Sequence, residues 1–351
     1  MKNGIGPDWR VPAMDGLRAI ACLIVVLLHL RFFTYGPLTF QWTDWVPEGT
    51  GFLTGVPKIG VWLFFSLSAF LLSLELLNGL GIQRLYTYSV GRILRIAPPF
   101  LIALIVYRVI GTTDIVSWKD VWLSFSLQTS TSHLWTIAPE FIFYLFLPFI
   151  IAIALAGRRI SGVIGAIFAI LLTLGLAVAI WPPGNTPPSS MWTGWYAINF
   201  LSGVVAACSI RFLPLASPSL ARLLLAFGLF VIIAFTITVK AGLILDPDQG
   251  LVDKHYVFGP MWSLVIYGAY IAPPRLLAGS ALGTIGRWSF SIYLYHWGIG
   301  IWAGRLLPSA PALLVAVCGS ILAGYLGYRL IERPAYSLRR ALRAAHPPIS
   351  R

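Results

Sequence analysis

Apolar residues arrive along this chain in long blocks, separated by prolines, glycines and short charged clusters. Runs such as Ile151–Ala156, Val163–Ile180 and Leu223–Val239 are apolar almost throughout and lack the in-out alternation of barrel strands. A bilayer offers no water to pair backbone N–H and C=O groups, so a spanning segment is either a helix or a strand of a closed barrel. The pattern predicts helices of roughly 20 residues each. Segmentation at Pro, Gly and charge gives ten candidate spans near 14–33, 57–77, 93–110, 134–155, 162–181, 193–210, 220–240, 256–273, 287–304 and 311–331. The third is the most interrupted, by Pro98, Pro99 and Arg108. No internal repeat is evident. The expected fold is an all-α integral membrane bundle of about ten transmembrane helices.

Composition supports this. Hydrophobic residues make up 58% of the chain and charged ones 11%, against roughly 45–50% and about 25% in soluble domains. The net charge of +13 does not form a basic face for nucleic acid, because the cations lie between apolar blocks where orientation signals belong. With the N-terminus in the cytoplasm, most of the 25 Lys and Arg residues fall inside, among them Arg84, Arg92, Arg95, Arg158 and Arg159. Both termini are therefore expected in the cytoplasm. Cys22, Cys208 and Cys318 each sit in an apolar run without paired spacing, as packing residues would. Lys2 and Arg10 before an apolar stretch mimic a signal peptide, but no small-x-small site follows, so the stretch reads as a retained first span. About twenty residues follow the last span, and no soluble domain is expected on either side. The aromatic loop 34–56, the acidic loop 241–255 and the Pro/Ser-rich segment 182–190 read as an interfacial belt, a solvated turn and a connector. Substrate binding by the first two remains an alternative.

Ionisable groups inside spans carry the chemical signal, since each is costly there. The first span holds Asp15, Arg18 and His29. Arg18 and His29 lie eleven residues apart, which places them within about 20° of one helix face and about 16 Å apart along the axis. Asp15 can pair with Arg18 at i, i+3. A neutral imidazole serves as general base or nucleophile, or simply as a packing hydrogen bond. Arg92 and Arg95 form an i, i+3 guanidinium pair suited to phosphate, and equally to an orientation signal. Glu140, one residue after Pro139, sits where a helix opens and its dipole favours a carboxylate. His296, within Ser289-Phe290-Ser291-Ile292-Tyr293-Leu294-Tyr295-His296-Trp297, is a further intramembrane imidazole or a polar tether between helices.

In order along the chain, these segments resemble acyltransferase family 3, integral membrane enzymes that O-acylate sugars and related hydroxyls. Met14-Asp15-Gly16-Leu17-Arg18 through His29 resembles the opening motif with its Arg-x10-His spacing, and Gly60 to Phe70 resembles the second-span motif. Arg92-Ile93-Leu94-Arg95 matches Arg-x-x-Arg, and Trp135 to Glu140 resembles the Trp-Ser-Leu-x-x-Glu element. Ser289 to Trp297 and Glu332-Arg333-Pro334 resemble the last two motifs. The chain departs from the family at Trp62 and Ala69, where Asp and Gly are usual, and at Thr136, Ile137 and Pro139. Many relatives carry an appended extracytoplasmic esterase-like domain, which is not expected here.

The resemblance implies a membrane-embedded acyltransferase domain over residues 1–335, a short basic cytoplasmic tail over 336–351, and a place in the bacterial plasma membrane. It implies an acyl-CoA donor, acetyl-CoA being the family's common choice, and an acceptor hydroxyl on a saccharide or lipid-linked saccharide. No bound cofactor and no metal are implied, and the partners are the two substrates and the membrane lipids. His29 and Glu140 would be catalytic, Arg18, Arg92 and Arg95 would hold the donor, and Asp15, Trp135, Ser291 and His296 would support them. In that scheme the donor's thioester lies near His29, and Glu140 orients His29 or the acceptor. The rival readings are a transporter or flippase for a glycan or lipid-linked sugar, and a non-catalytic scaffold.

Overall fold

The computed structural model describes residues 11–36, 55–111, 113–245, 251 and 254–338. The described residues are built from α-helices: α1 (Pro12–Tyr35), α2 (Val56–Leu76), α3 (Ile82–Ile110), α4 (Trp118–Phe125), α5 (Ile137–Ile180), α6 (Ala197–Phe212), α7 (Pro218–Lys240), α8 (His255–Ile271), α9 (Ser280–Leu306) and α10 (Ser309–Gly327). Short 3-10 turns precede α5 (Ser132–Thr136) and α6 (Thr193–Tyr196), and a π-helical turn, Tyr328–Glu332, follows α10. The protein is a multi-pass α-helical membrane bundle. Seven helical segments among the described residues are long and apolar enough to cross a bilayer: α1, α2, α3, the stretch Ser132–Asn185, α6 with its preceding turn, α7 and α10 with its extension. Each of the ten expected spans falls on a helix or on one leg of α5. Large parts of the loops 34–56 and 241–255 and of the 336–351 tail lie outside the described residues.

Two features depart from the sequence expectation, in α3 and α4. The third span begins at Ile82, well before residue 93, because its first turns carry Gln83, Arg84 and Arg92 and so escape a hydropathy reading. It runs through Pro98 and Pro99 without ending. Tertiary bonds hold it on either side of the prolines: Tyr88 Oη donates to the Tyr144 carbonyl at 2.8 Å, and Tyr107 Oη donates to the Leu294 carbonyl. The fourth and fifth spans are two legs of α5, as expected, separated where Ser161 and Gly162 leave the helical conformation and Gly162 takes φ +62°. The short α4 was not expected; Ser117 and Asp120 close it with reciprocal cap bonds.

α2 lies at the centre, against α1, α5, α6 and α8. Small polar groups join these helices at their backbones, as expected where lipid gives no hydrophobic drive to association. Ser66 Oγ donates to the Asn199 carbonyl at 3.0 Å, Asn199 Nδ2 donates to the Trp62 carbonyl at 2.8 Å, and Trp262 Nε1 donates to the Ile59 carbonyl at 3.1 Å. The periphery is the reverse. Phe146, Phe149 and Phe168 on α5 and Phe227, Phe230 and Ile233 on α7 are exposed, the state lipid favours and water penalises. Cys22 and Cys208 are buried as packing residues, whereas Cys318 is exposed on the apolar α10.

The α1–α9 seam positions the site. Gly286 faces the Asp15 carbonyl and Gly304 faces the Phe33 carbonyl so closely that a Cβ at either position would strike the α1 backbone. Glycine at both ends draws the two helices together along their length. His29 and His296 are brought edge to edge between these two contacts.

Candidate active site

Two neighbouring features occupy the bundle interior. The first is a cavity walled by α1, α2, α3, α5 and α9. Arg18, Arg92, Arg95 and Glu140 all line it, so four of the five residues expected to be catalytic or donor-binding meet in one space. The three cations are held differently. Arg18 Nη1 pairs with Asp15 Oδ1 at 3.2 Å, one turn away on α1, as the spacing predicted. Arg95 Nη1 lies 3.6 Å from Glu332 Oε2, and Glu332 is only 1% exposed. Ser291 Oγ donates to the other oxygen of Glu332 at 2.6 Å, so the π-helical turn, α9 and α3 converge on one buried carboxylate. Arg92 lies 5.9 Å over the Tyr144 ring and makes no ion pair among the described residues. The Arg-x-x-Arg pair is thus one tethered cation and one available cation.

Glu140 stands in the first turn of α5, after the 3-10 turn, as Pro139 suggested. Its Oε1 accepts from Ser68 Oγ at 2.6 Å and from Tyr144 Oη one turn along. Both donors use the same oxygen, which fixes the carboxylate's orientation at the cavity wall.

The second feature is a cluster of imidazoles. His29 Nδ1 lies 3.0 Å from His296 Nε2, and the rings lie edge to edge, their centroids 5.3 Å apart with 7° between their planes. The Nδ1 of His296 contacts the Tyr293 carbonyl at 2.7 Å. Trp297 meets His29 edge-on at 4.9 Å and stacks on His133 at 5.1 Å. His296 is fully buried, whereas His29 is only partly buried. Tyr293 joins the two features: its ring lines the cavity and packs 5.7 Å from His296. Its hydroxyl accepts from Thr136 Oγ1 at 2.8 Å and donates to the His133 carbonyl. Among the described residues no group of three or more His, Cys, Asp or Glu is arranged to hold a metal ion.

Residues 11–329 match the family model described as an acyltransferase domain. The chain belongs to that family. Curated relatives include a Staphylococcus aureus (strain COL) chain assigned as an O-acetyltransferase, 26% identical over 92% of this chain and 57% of its own length. The peptidoglycan O-acetyltransferase OatA of Listeria monocytogenes serovar 1/2a is 23% identical over 92% of this chain and 55% of its own. The O-acetyltransferase OatA of S. aureus (strain NCTC 8325 / PS 47) is 23% identical over 92% and 57%. This chain therefore spans a little over half the length of the curated relatives it matches. No solved structure matches it significantly.

Among the residues this acyltransferase-family chain was expected to use, Glu140 does not take the orienting place beside His29. Its bonds go to Ser68 and Tyr144, and His296 bonds to His29 instead. Ser291 and Asp15 act on the cations, through Glu332 and Arg18 respectively. Trp135 is buried against Trp62, Phe65 and Tyr196, with Lys58 5.5 Å over its ring, so it packs the wall behind the cavity. Trp62, which replaces the family's usual Asp, is fully buried in that aromatic group. Sequence reasoning missed Tyr144, Ser68, Tyr293, His133 and the role of Glu332. Tyr144 had a signal, its i+4 spacing from Glu140; the others meet their partners only through the fold.

Proposed function

We propose that the chain is a membrane-bound O-acyltransferase that moves an acyl group, acetyl in the simplest case, from acyl-CoA to a hydroxyl of a cell-envelope saccharide. Family membership and the O-acetyltransferase relatives support the reaction class. The observation that carries the reading is the cavity in which Arg18, Arg92, Arg95 and Glu140 meet, sharing the Tyr293 wall with the His29–His296 pair. Guanidinium groups are the natural recognition elements for the donor's phosphates. His29 is the base. It takes the acceptor's proton as the hydroxyl oxygen bonds to the acyl carbon; the C–S bond breaks and the CoA sulfur leaves with the electron pair and receives that proton. Glu140, held by Ser68 and Tyr144, is placed to accept a hydrogen bond from the acceptor. In this reading the chain crosses a bacterial plasma membrane ten times with both termini in the cytoplasm, residues 1–335 form the catalytic bundle and 336–351 a basic tail.

Membranes containing the protein are to be incubated with acyl-labelled acyl-CoA and an envelope glycan fraction. Acylated glycan and free CoA are expected, with both lost in His29→Ala. Movement of glycan across the membrane with no label transferred would favour a transporter and overturn the proposal.

A further inference from the structure

His296 does more than join two helices. We propose that it is a positioning residue that fixes the tautomer of His29, so that Nε2 of His29 is the atom that takes the acceptor's proton. This rests on the acyltransferase reading above.

The assignment follows from what each atom can donate. A backbone carbonyl has no hydrogen to give, so the 2.7 Å contact between the Tyr293 carbonyl and His296 Nδ1 requires the hydrogen on Nδ1. A neutral ring then carries its lone pair on Nε2. That nitrogen faces His29 Nδ1 at 3.0 Å, and two lone pairs do not bridge at that separation. His29 Nδ1 therefore carries the hydrogen, and a neutral His29 keeps its lone pair on Nε2, at the other edge of the ring. The direction of donation runs from His29 to His296 to the Tyr293 carbonyl. The reverse tautomer of His29 would set one lone pair against another.

The surroundings hold this order. The two rings are nearly parallel, Trp297 closes on the edge of His29, and His133 packs against His296 at 4.9 Å without bonding to its nitrogens. The Tyr293 and Leu294 carbonyls lie near the His133 ring but complete no hydrogen bond in good geometry. The helix seam sets the distance, because Gly286 and Gly304 let the α1 and α9 backbones approach closely on either side of the pair. When Nε2 of His29 takes the acceptor's proton the ring becomes an imidazolium, and its Nδ1–H bond to His296 becomes charge-assisted and stronger. His296 thereby favours the transition state over the ground state, which is what raises kcat. The proton then passes from Nε2 to the departing CoA sulfur, and both Nδ1 hydrogens stay in place.

The test compares His296→Gln, His296→Asn and His296→Ala in the full-length protein. A glutamine amide oxygen reaches the place of Nε2 and accepts from His29; an asparagine amide is too short. In Asn and Ala variants kcat should fall about 10- to 100-fold, the range for residues that orient another group, while donor KM stays unchanged. Gln should restore most of that loss. Independently, 15N spectra of histidine-labelled wild-type protein should show His29 protonated on Nδ1 and bare on Nε2, with only five histidines to assign. Equal kcat in all three variants of an active enzyme, or a wild-type His29 protonated on Nε2, would overturn the inference. A wild-type protein that transfers no acyl group would instead overturn the acyltransferase reading, and the spectra would still decide the tautomer.

Discussion

Arg18 and Arg95, at the edge of the cavity, lean on carboxylates, Asp15 and Glu332. His29 and His296, at the α1–α9 seam, lean on each other and on a backbone carbonyl. The difference separates two tasks. A permanent cation inside a membrane protein is stabilised in place by a counter-charge. An imidazole that must gain and lose a proton is better served by neutral partners that fix its geometry and leave one nitrogen free. The sharpest way to break this division is His29→Ala. It should lower kcat about 1,000-fold, within the range for losing a general base, with the same yield of folded, membrane-inserted protein. Near-normal kcat would place the proton transfer elsewhere, and Glu140 would be the next group to examine.

The second test falls on the counter-charges. Glu332→Ala leaves Arg95 buried without its partner, and breaking one side of a buried pair costs about 3–5 kcal/mol. A marked fall in thermal stability in detergent is expected, with folded yield reduced. Replacing both Arg95 and Glu332 with methionine should recover much of that stability, since no charge is then stranded. If the double variant is as unstable as the single one, the pair is not what holds α3 to the end of α10. Arg92→Ala should behave oppositely: stability near wild type, and donor KM raised about 10-fold, roughly one charge-assisted hydrogen bond. Should Glu332→Ala and Arg92→Ala prove alike in both measurements, the split of the pair into a tethered and an available cation is wrong.

What could be read from sequence follows the same line. Within one helix the geometry is periodic, so the Asp15–Arg18 pair and the common face of Arg18 and His29 follow from spacing alone. Glu140 in a first helical turn follows from Pro139 and the helix dipole. Between helices no such rule applies. His29 and His296 are 267 positions apart, and nothing in either segment shows that α1 and α9 run side by side. The glycines at 286 and 304 bring them together, and glycine in a membrane helix is too common to single out. The same limit hid the role of Glu332, whose burial depends on a π-helical turn, and left Glu140 open between His29 and the acceptor without naming Ser68 and Tyr144 as its partners. Hydropathy likewise found the apolar centre of α3 and missed its polar first turns.

The smallest expected effect tests how firmly the cavity's carboxylate is held. Tyr144 donates to Glu140 Oε1 and Ser68 donates to the same oxygen, so either hydroxyl alone still orients the group. Tyr144→Phe keeps the ring under Arg92 and removes only the hydroxyl, a loss of about 1 kcal/mol for one hydrogen bond. Acyl transfer should fall only several-fold, through acceptor KM if Glu140 binds the ground-state hydroxyl and through kcat if it acts on the transition state. The double variant Ser68→Ala with Tyr144→Phe releases the carboxylate altogether and should lose more than the two single effects combined, because each hydroxyl masks the absence of the other. Simple additivity would mean that the two bonds act independently and that the orientation of Glu140 is set by the helix turn that carries it. The carboxylate would then resemble Asp15, whose place on α1 already fixes its partner, more than His29, whose partner must be brought from another helix.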